Sequence, residues 1–228
     1  MLIDAKANIN LRNKNGMTPL FVASWKTNKD STENTVKMLI DAKANINIQN
    51  YLEQTPLYIV SWKSDSKSTD NTVKILIDAK ANINLPEKNQ QTPLLFAIWR
   101  LGKESMENTV KILMDAKADL DIKNNSGFIP LLTTSNPKIF KMLVDAKADI
   151  MVEHNGKTVL DRMCDLCMQN TDTDLIERLL EQGVKFNNQI LYKYKCELYE
   201  KRMEDQKNFI RAYKEGLSDT ACLVNTYL

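Results

Sequence analysis

Glycine is scarce in this chain of 228 residues: there are six, beside six prolines, four cysteines and one histidine. The four cysteines (Cys164, Cys167, Cys196 and Cys222) all lie in the last third, far too sparse for a secreted disulfide scaffold. Reduced thiols in an intracellular, cytoplasmic compartment are the expectation. His154 has no nucleophile partner nearby in sequence, and neither GxxxxGK[ST] nor GxGxxG occurs, so no phosphate loop or histidine-based catalysis is visible. No apolar run reaches the roughly 18 residues that suggest a membrane span. Met1-Leu2-Ile3-Asp4-Ala5-Lys6 lacks the basic start and apolar core of a secretory signal. A net charge of +2 gives no electrostatic footprint for nucleic acid.

What is present is a repeat. Asp4-Ala5-Lys6-Ala7 returns as Asp41-Ala42-Lys43-Ala44, Asp78-Ala79-Lys80-Ala81 and Asp115-Ala116-Lys117-Ala118, each 37 residues after the last. Asp145-Ala146-Lys147-Ala148 follows after 30 residues and a degenerate Glu181-Gln182-Gly183-Val184 after 36. Between them stand Thr18-Pro19-Leu20, Thr55-Pro56-Leu57, Thr92-Pro93-Leu94, Ile129-Pro130-Leu131 and Thr158-Val159-Leu160. Threonine is a helix-capping type, and proline suits the first helical position because its missing N–H costs nothing there. A second helix begins near Ser31, Ser68, Ser105 and Asn136, with apolar residues at i, i+3 and i+4, as in Val36, Leu39 and Ile40. One such pair cannot bury its apolar stripe, so a fixed period predicts stacked pairs with one continuous core.

These units resemble ankyrin repeats: Thr-Pro-Leu opens the first helix, Val-Lys-x-Leu-Ile runs through the second, and Ala-Asn-Ile-Asn or Ala-Asp-Leu-Asp follows. The resemblance spans residues 1 to about 188 and implies an all-α helix-turn-helix solenoid of five full units, with a partial repeat over 1–12. It further implies a concave recognition surface built from turn tips and first helices. Where the family usually has His after Thr-Pro-Leu, this chain has Phe21, Tyr58, Leu95, Leu132 and Asp161. Where the family has Gly, it has Lys6, Lys43, Lys80, Lys117 and Lys147. A left-handed lysine costs on the order of 1 kcal/mol relative to glycine, and its charge at a helix C-terminus recovers roughly 0.3–1 kcal/mol. After Asn188 the pattern stops. Residues 189–228 read as a helical cap or extension, with Leu191, Tyr194, Leu198, Phe209 and Tyr213 near one face of a mixed-charge helix.

Candidate functional residues follow from position in the unit. Trp25-Lys26, Trp62-Lys63 and Trp99-Arg100 end the first helices at the same place each time. Stacking would align them as a basic aromatic ladder suited to an acidic helix or extended acidic segment. The same rings could instead cover the loops TNKDST, SDSKST and LGKESM. The turn tips are the second candidate, above all Met17, Tyr51, Leu52, Phe128 and His154, with Tyr51, Leu52 and Phe128 expected to be exposed. Cys164-Asp165-Leu166-Cys167 lacks the further ligands of a zinc site and the βαβ setting of a redox motif, which leaves packing as its simplest role and a metal or redox protein as a remote alternative. The expectation is a non-catalytic protein-binding module with no cofactor, no nucleic-acid partner and no membrane. An adaptor, with 189–228 recruiting other machinery, is the alternative, although no F-box-like pattern is visible there.

Overall fold

Threonine before proline starts the first helices as the sequence requires. Thr18 and Thr55 are extended, and their hydroxyl oxygens accept from the Phe21 and Tyr58 amides at 3.2 and 3.0 Å; Thr92 accepts from the Leu95 amide at 3.2 Å. The computed structural model describes residues 7–26, 30–62, 67–99, 106–159 and 183. These fall in two compact units, Met1–Thr134 and Ser135–Leu228. The first holds α1 (Pro19–Trp25), α2 (Asp30–Asp41), α3 (Pro56–Ser61), α4 (Lys67–Asp78), α5 (Pro93–Trp99), α6 (Met106–Asp115) and α7 (Pro130–Thr133). The second holds α8 (Pro137–Asp145) and a hairpin of β1 (Glu153–His154) and β2 (Lys157–Thr158).

Within the first unit the helices form two layers. α1, α3, α5 and α7 pack in sequence order, and α2, α4 and α6 do the same behind them. Leu20, Phe21, Leu57, Tyr58, Leu94 and Leu95 of the first layer are buried, with Val36, Leu39, Val73, Leu76, Val110 and Leu113 of the second. Helices of four to seven residues are too short to persist alone. Packing between layers must therefore hold them.

Each second helix ends the same way. Lys43, Lys80 and Lys117 are left-handed, with φ of 66°, 70° and 66°, so lysine does occupy the position where glycine is easiest. The Lys43 amide donates to Ile40 O and the Ala44 amide to Leu39 O, both at 2.9 Å. The same pair of bonds closes α4 and α6, and Ala44, Ala81 and Ala118 are buried behind the turn. In the second unit Lys147 (φ 64°) and Ala148 close α8 identically.

Three hydrogen-bond ladders tie the first unit together. At the base of each repeat, Asn10, Asn47 and Asn84 Oδ1 accept from the backbone amides of Asn45, Asn82 and Asp119 at 2.8, 2.8 and 2.9 Å. At the tips, Tyr51, Lys88 and Asn125 amides donate to Asn15, Leu52 and Asn89 carbonyls. Between second helices, Asn71 donates to Glu33 and Thr109 to Asp70. Each tip is organised from within: Asn13, Asn50 and Asn124 Oδ1 each accept two backbone amides. Glu87 does the same with its carboxylate, reaching the Asn89 and Gln91 amides at 2.8 and 3.4 Å. Tip packing is close, since a Cβ on Gly16 (φ 74°) would stand 2.8 Å from Tyr51 N.

Two local departures have local causes. α7 lacks a side-chain cap because Ile129 replaces threonine, and it lasts one turn. Asn136 then caps α8 by accepting from Lys138 and Ile139 amides at 2.8 and 3.3 Å. The fifth tip is a two-residue hairpin rather than a capped loop. Asn155 and Gly156 both take positive φ (52° and 70°), the pairing that a tight hairpin turn demands, and Glu153 faces Thr158 across it. The cap or extension over 189–228, Leu2 and Ile3, Asp161, and Cys164, Cys167, Cys196 and Cys222 lie outside the described residues.

Lys80→Gly removes a left-handed penalty of about 1 kcal/mol and gives back roughly 0.3–1 kcal/mol of helix-end electrostatics, so its urea midpoint should match or slightly exceed the native one. Gly16→Ala runs the penalty in reverse and drives a Cβ into the Tyr51 backbone. It should lose about 1 kcal/mol or more; an unchanged midpoint would contradict the tip geometry.

Candidate functional site

The first helices bury one side and leave the other available. In α1 the buried residues are Leu20, Phe21, Ala23 and Ser24, which leaves Val22 half-buried and Trp25 exposed one turn later. The same i, i+3 pair recurs as Ile59 with Trp62 and as Phe96 with Trp99, so two columns run side by side along the layer. Trp25 is 39% exposed and Trp99 64%, while Trp62 is half-buried. Trp25 and Trp99 are therefore not core residues. The loop segments they could cover lie outside the described residues, as do Lys63 and Arg100; Lys26 is exposed.

Phe96 is the centre of the strip. Tyr58 stacks on it at 4.3 Å between centroids with planes 7° apart. Trp62 and Trp99 lie 6.2 and 6.5 Å from it, with planes 7° and 13° from parallel. Offset parallel rings at such distances are favourable by about 0.5–1.5 kcal/mol beyond their burial. Tyr58 is buried, and its hydroxyl donates to Gln91 Oε1 in the next tip at 3.2 Å. Burial, and secondarily the negative Glu87, hold its phenol above the ordinary range. The neutral, donating form is thus locked in place beneath Phe96.

The first-helix segments are one-sided in charge as sequence. Residues 18–26, 55–63, 92–100 and 129–134 contain no Asp or Glu, and Lys26, Lys63 and Arg100 supply cations directly after each tryptophan. Indole N–H and the basic groups are all donors.

At the tips, Tyr51 (66%) and Leu52 (56%) are exposed as expected. Phe128 is not: it is half-buried, like Met17, Gln54 and Gln91 at the same tip position. That residue directly precedes the helix cap, and its amide is held by Asn124 Oδ1, which turns the position toward the stack. His154 is half-buried in the hairpin of the second unit, its Nε2 3.0 Å from Asn155 Nδ2. It belongs to a separate unit from the aromatic strip. Among the described residues no group of three His, Cys, Asp or Glu side chains could hold a metal ion.

Residues 27–124 match the family model for ankyrin repeats, in three copies. That stretch of the chain is an ankyrin repeat array. No curated protein matches it. Ankyrin repeats are generally protein–protein interaction modules and typically non-catalytic. No helix among the described residues is long and apolar enough to cross a membrane.

Phe96 and Tyr58 were not singled out from the sequence, although a signal existed. Aligning units by 37 residues puts Phe96 opposite Val22 and Ile59, an aromatic in an aliphatic column.

Tyr58→Phe should cost about 1 kcal/mol by removing the bond to Gln91. The native fold keeps a phenol proton that an unfolded chain releases near pH 10. This group's contribution is therefore complete below about pH 10 and is lost as pH rises beyond it. Urea midpoints measured at about pH 8 and pH 10.5 should fall further for the native chain than for Tyr58→Phe; equal falls would show that the phenol is not held neutral.

Proposed function

We propose that this ankyrin protein is a non-catalytic binding module that grips an acidic segment of a partner protein along its first helices, with the exposed tips at its margin. The observation carrying this reading is the exposure of Trp25 and Trp99, on first-helix segments whose sequences hold cations and no carboxylate. Exposing an indole to water forgoes a large apolar burial, which binding can recover. Tryptophan and arginine are enriched among the few residues that dominate interface energies. Cations around such anchors steer an acidic partner and raise its association rate. The stack is held by hydrogen bonds independent of any partner, so association needs little backbone movement. Tyr51 and Leu52 offer a second apolar contact at the tips; Met17 and Phe128 contribute only their half-exposed edges.

The test is affinity capture followed by binding measurements on the partner identified, comparing the native chain with two variants. Trp25→Ala/Trp99→Ala removes only the exposed rings and should retain helicity. Adding Trp62→Ala removes the third rung, at some cost from the lost Phe96 stacking. The double variant should weaken binding by about 2 kcal/mol or more, roughly 30-fold. Full binding by the folded double variant would assign the interface elsewhere, with the tips next in line.

A further inference from the structure

We infer that the leading face of the first described repeat, on the side opposite the second, is a docking surface for the rear face of an ankyrin-type repeat carried by another protein. This face is separate from the aromatic strip, and the inference goes beyond the binding proposed above. Two open hydrogen-bond ladders, one bare apolar side chain and the local charge carry it.

The base and tip ladders run one way, from an amide of one repeat to an oxygen of the repeat before it. In the base ladder the Asn45, Asn82 and Asp119 amides donate to Asn10, Asn47 and Asn84 Oδ1. The amide one repeat earlier in that series belongs to Asn8. In the tip ladder the Tyr51, Lys88 and Asn125 amides donate to carbonyls of the preceding tip, and the amide one repeat earlier belongs to Lys14. Among the described residues neither the Asn8 nor the Lys14 amide has an acceptor. Both ladders therefore present an unused donor at this face.

Leu11 stands between these donors in sequence and is 68% exposed. Its counterparts Ile48, Leu85 and Ile122, each 37 residues after the last, are half-buried. Each of those three follows a described repeat; Leu11 does not. Faces of a repeat stack that stay in water are ordinarily polar, and this one is not.

Charge narrows the partner. Arg12 and Lys14 are exposed beside Leu11, and residues 5–29 contain no Asp or Glu, which favours an acidic incoming surface. The rear face of a repeat also supplies the two acceptors, and the molecule shows that fit three times. On each occasion a base asparagine oxygen and a tip carbonyl come from one preceding unit. An extended acidic peptide matches the charge but must be ordered before it can bring both acceptors into place. A folded repeat holds them ready. The contact is heterologous, front to rear.

The probe is a short idealised ankyrin array with asparagine at its last base position, an acidic rim and no polar cap. The control is the same array closed by a polar capping repeat. Calorimetry on the full chain should give a Kd of about 10–100 μM for the probe and at least about tenfold weaker binding for the control. Leu11→Asp, and separately Arg12→Glu/Lys14→Glu, should weaken the probe about tenfold or more. Their circular-dichroism melts should stay native, because these side chains are exposed. Trp25→Ala/Trp99→Ala should bind the probe as the native chain does. Equal binding of probe and control, no effect of Leu11→Asp, or no binding at about 1 mM overturns the inference and leaves the acidic-segment reading untouched. Loss of probe binding in the tryptophan variant also overturns it, by moving the contact to the strip. Sedimentation of the native chain alone at about 100 μM should show a monomer. Self-association abolished by Leu11→Asp would make the occupant a second copy and overturn the choice of a separate partner.

Discussion

No first helix among the described residues could survive by itself, so the fold depends on contact between neighbouring repeats. Helices of four to seven residues form too few internal bonds to offset nucleation. What holds them is a pair of packed layers and three hydrogen-bond ladders. The asparagine ladder is the most regular of these. One side-chain oxygen in each repeat receives the first turn amide of the next, at nearly constant distance. Such bonds fix the register of one unit on another, which apolar contact alone leaves loose.

On that regular frame, the aromatic strip is an irregularity. Three substitutions from the repeat pattern converge in the middle of the stack: Tyr58 where the neighbouring units have Phe21 and Leu95, Phe96 where they have Val22 and Ile59, and Glu87 where other tips have asparagine. Tyr58 joins them, with its ring under Phe96 and its hydroxyl on Gln91, whose own amide donates to Glu87. The tip and the first-helix face are thereby mechanically connected in this repeat. A change at either end of that connection would alter the position of Phe96.

Over residues 7–159 the repeat architecture was legible in the sequence; the helices expected after Val159 and the cap over 189–228 lie outside the described residues. Thr-Pro starts, left-handed lysines and second helices all follow from local rules repeated in register, and the family match over residues 27–124 agrees. The candidate site was legible only in part. Periodicity announced the tryptophans because they recur, and it concealed Phe96 and Tyr58 because they do not. Exposure was harder still. Phe128 looked like a bare tip residue, and only the position of its amide against Asn124 shows why it turns inward. Nor does any local rule separate Trp62, half-buried by its neighbour's Phe96, from Trp25 and Trp99.

The tip ladder has a consequence for how this chain can change over generations. Its rungs join backbone to backbone, so Lys14, Tyr51, Lys88 and Asn125 can occupy one equivalent place with unrelated side chains. Mutational drift at the tips therefore leaves the scaffold's bonding unaltered. Each repeat also offers forward the same bonding groups that it accepts from behind, so copying a 37-residue block inserts a rung without disturbing those on either side. Lineages carrying such a gene can lengthen the array in single genetic steps and diversify the copies afterwards.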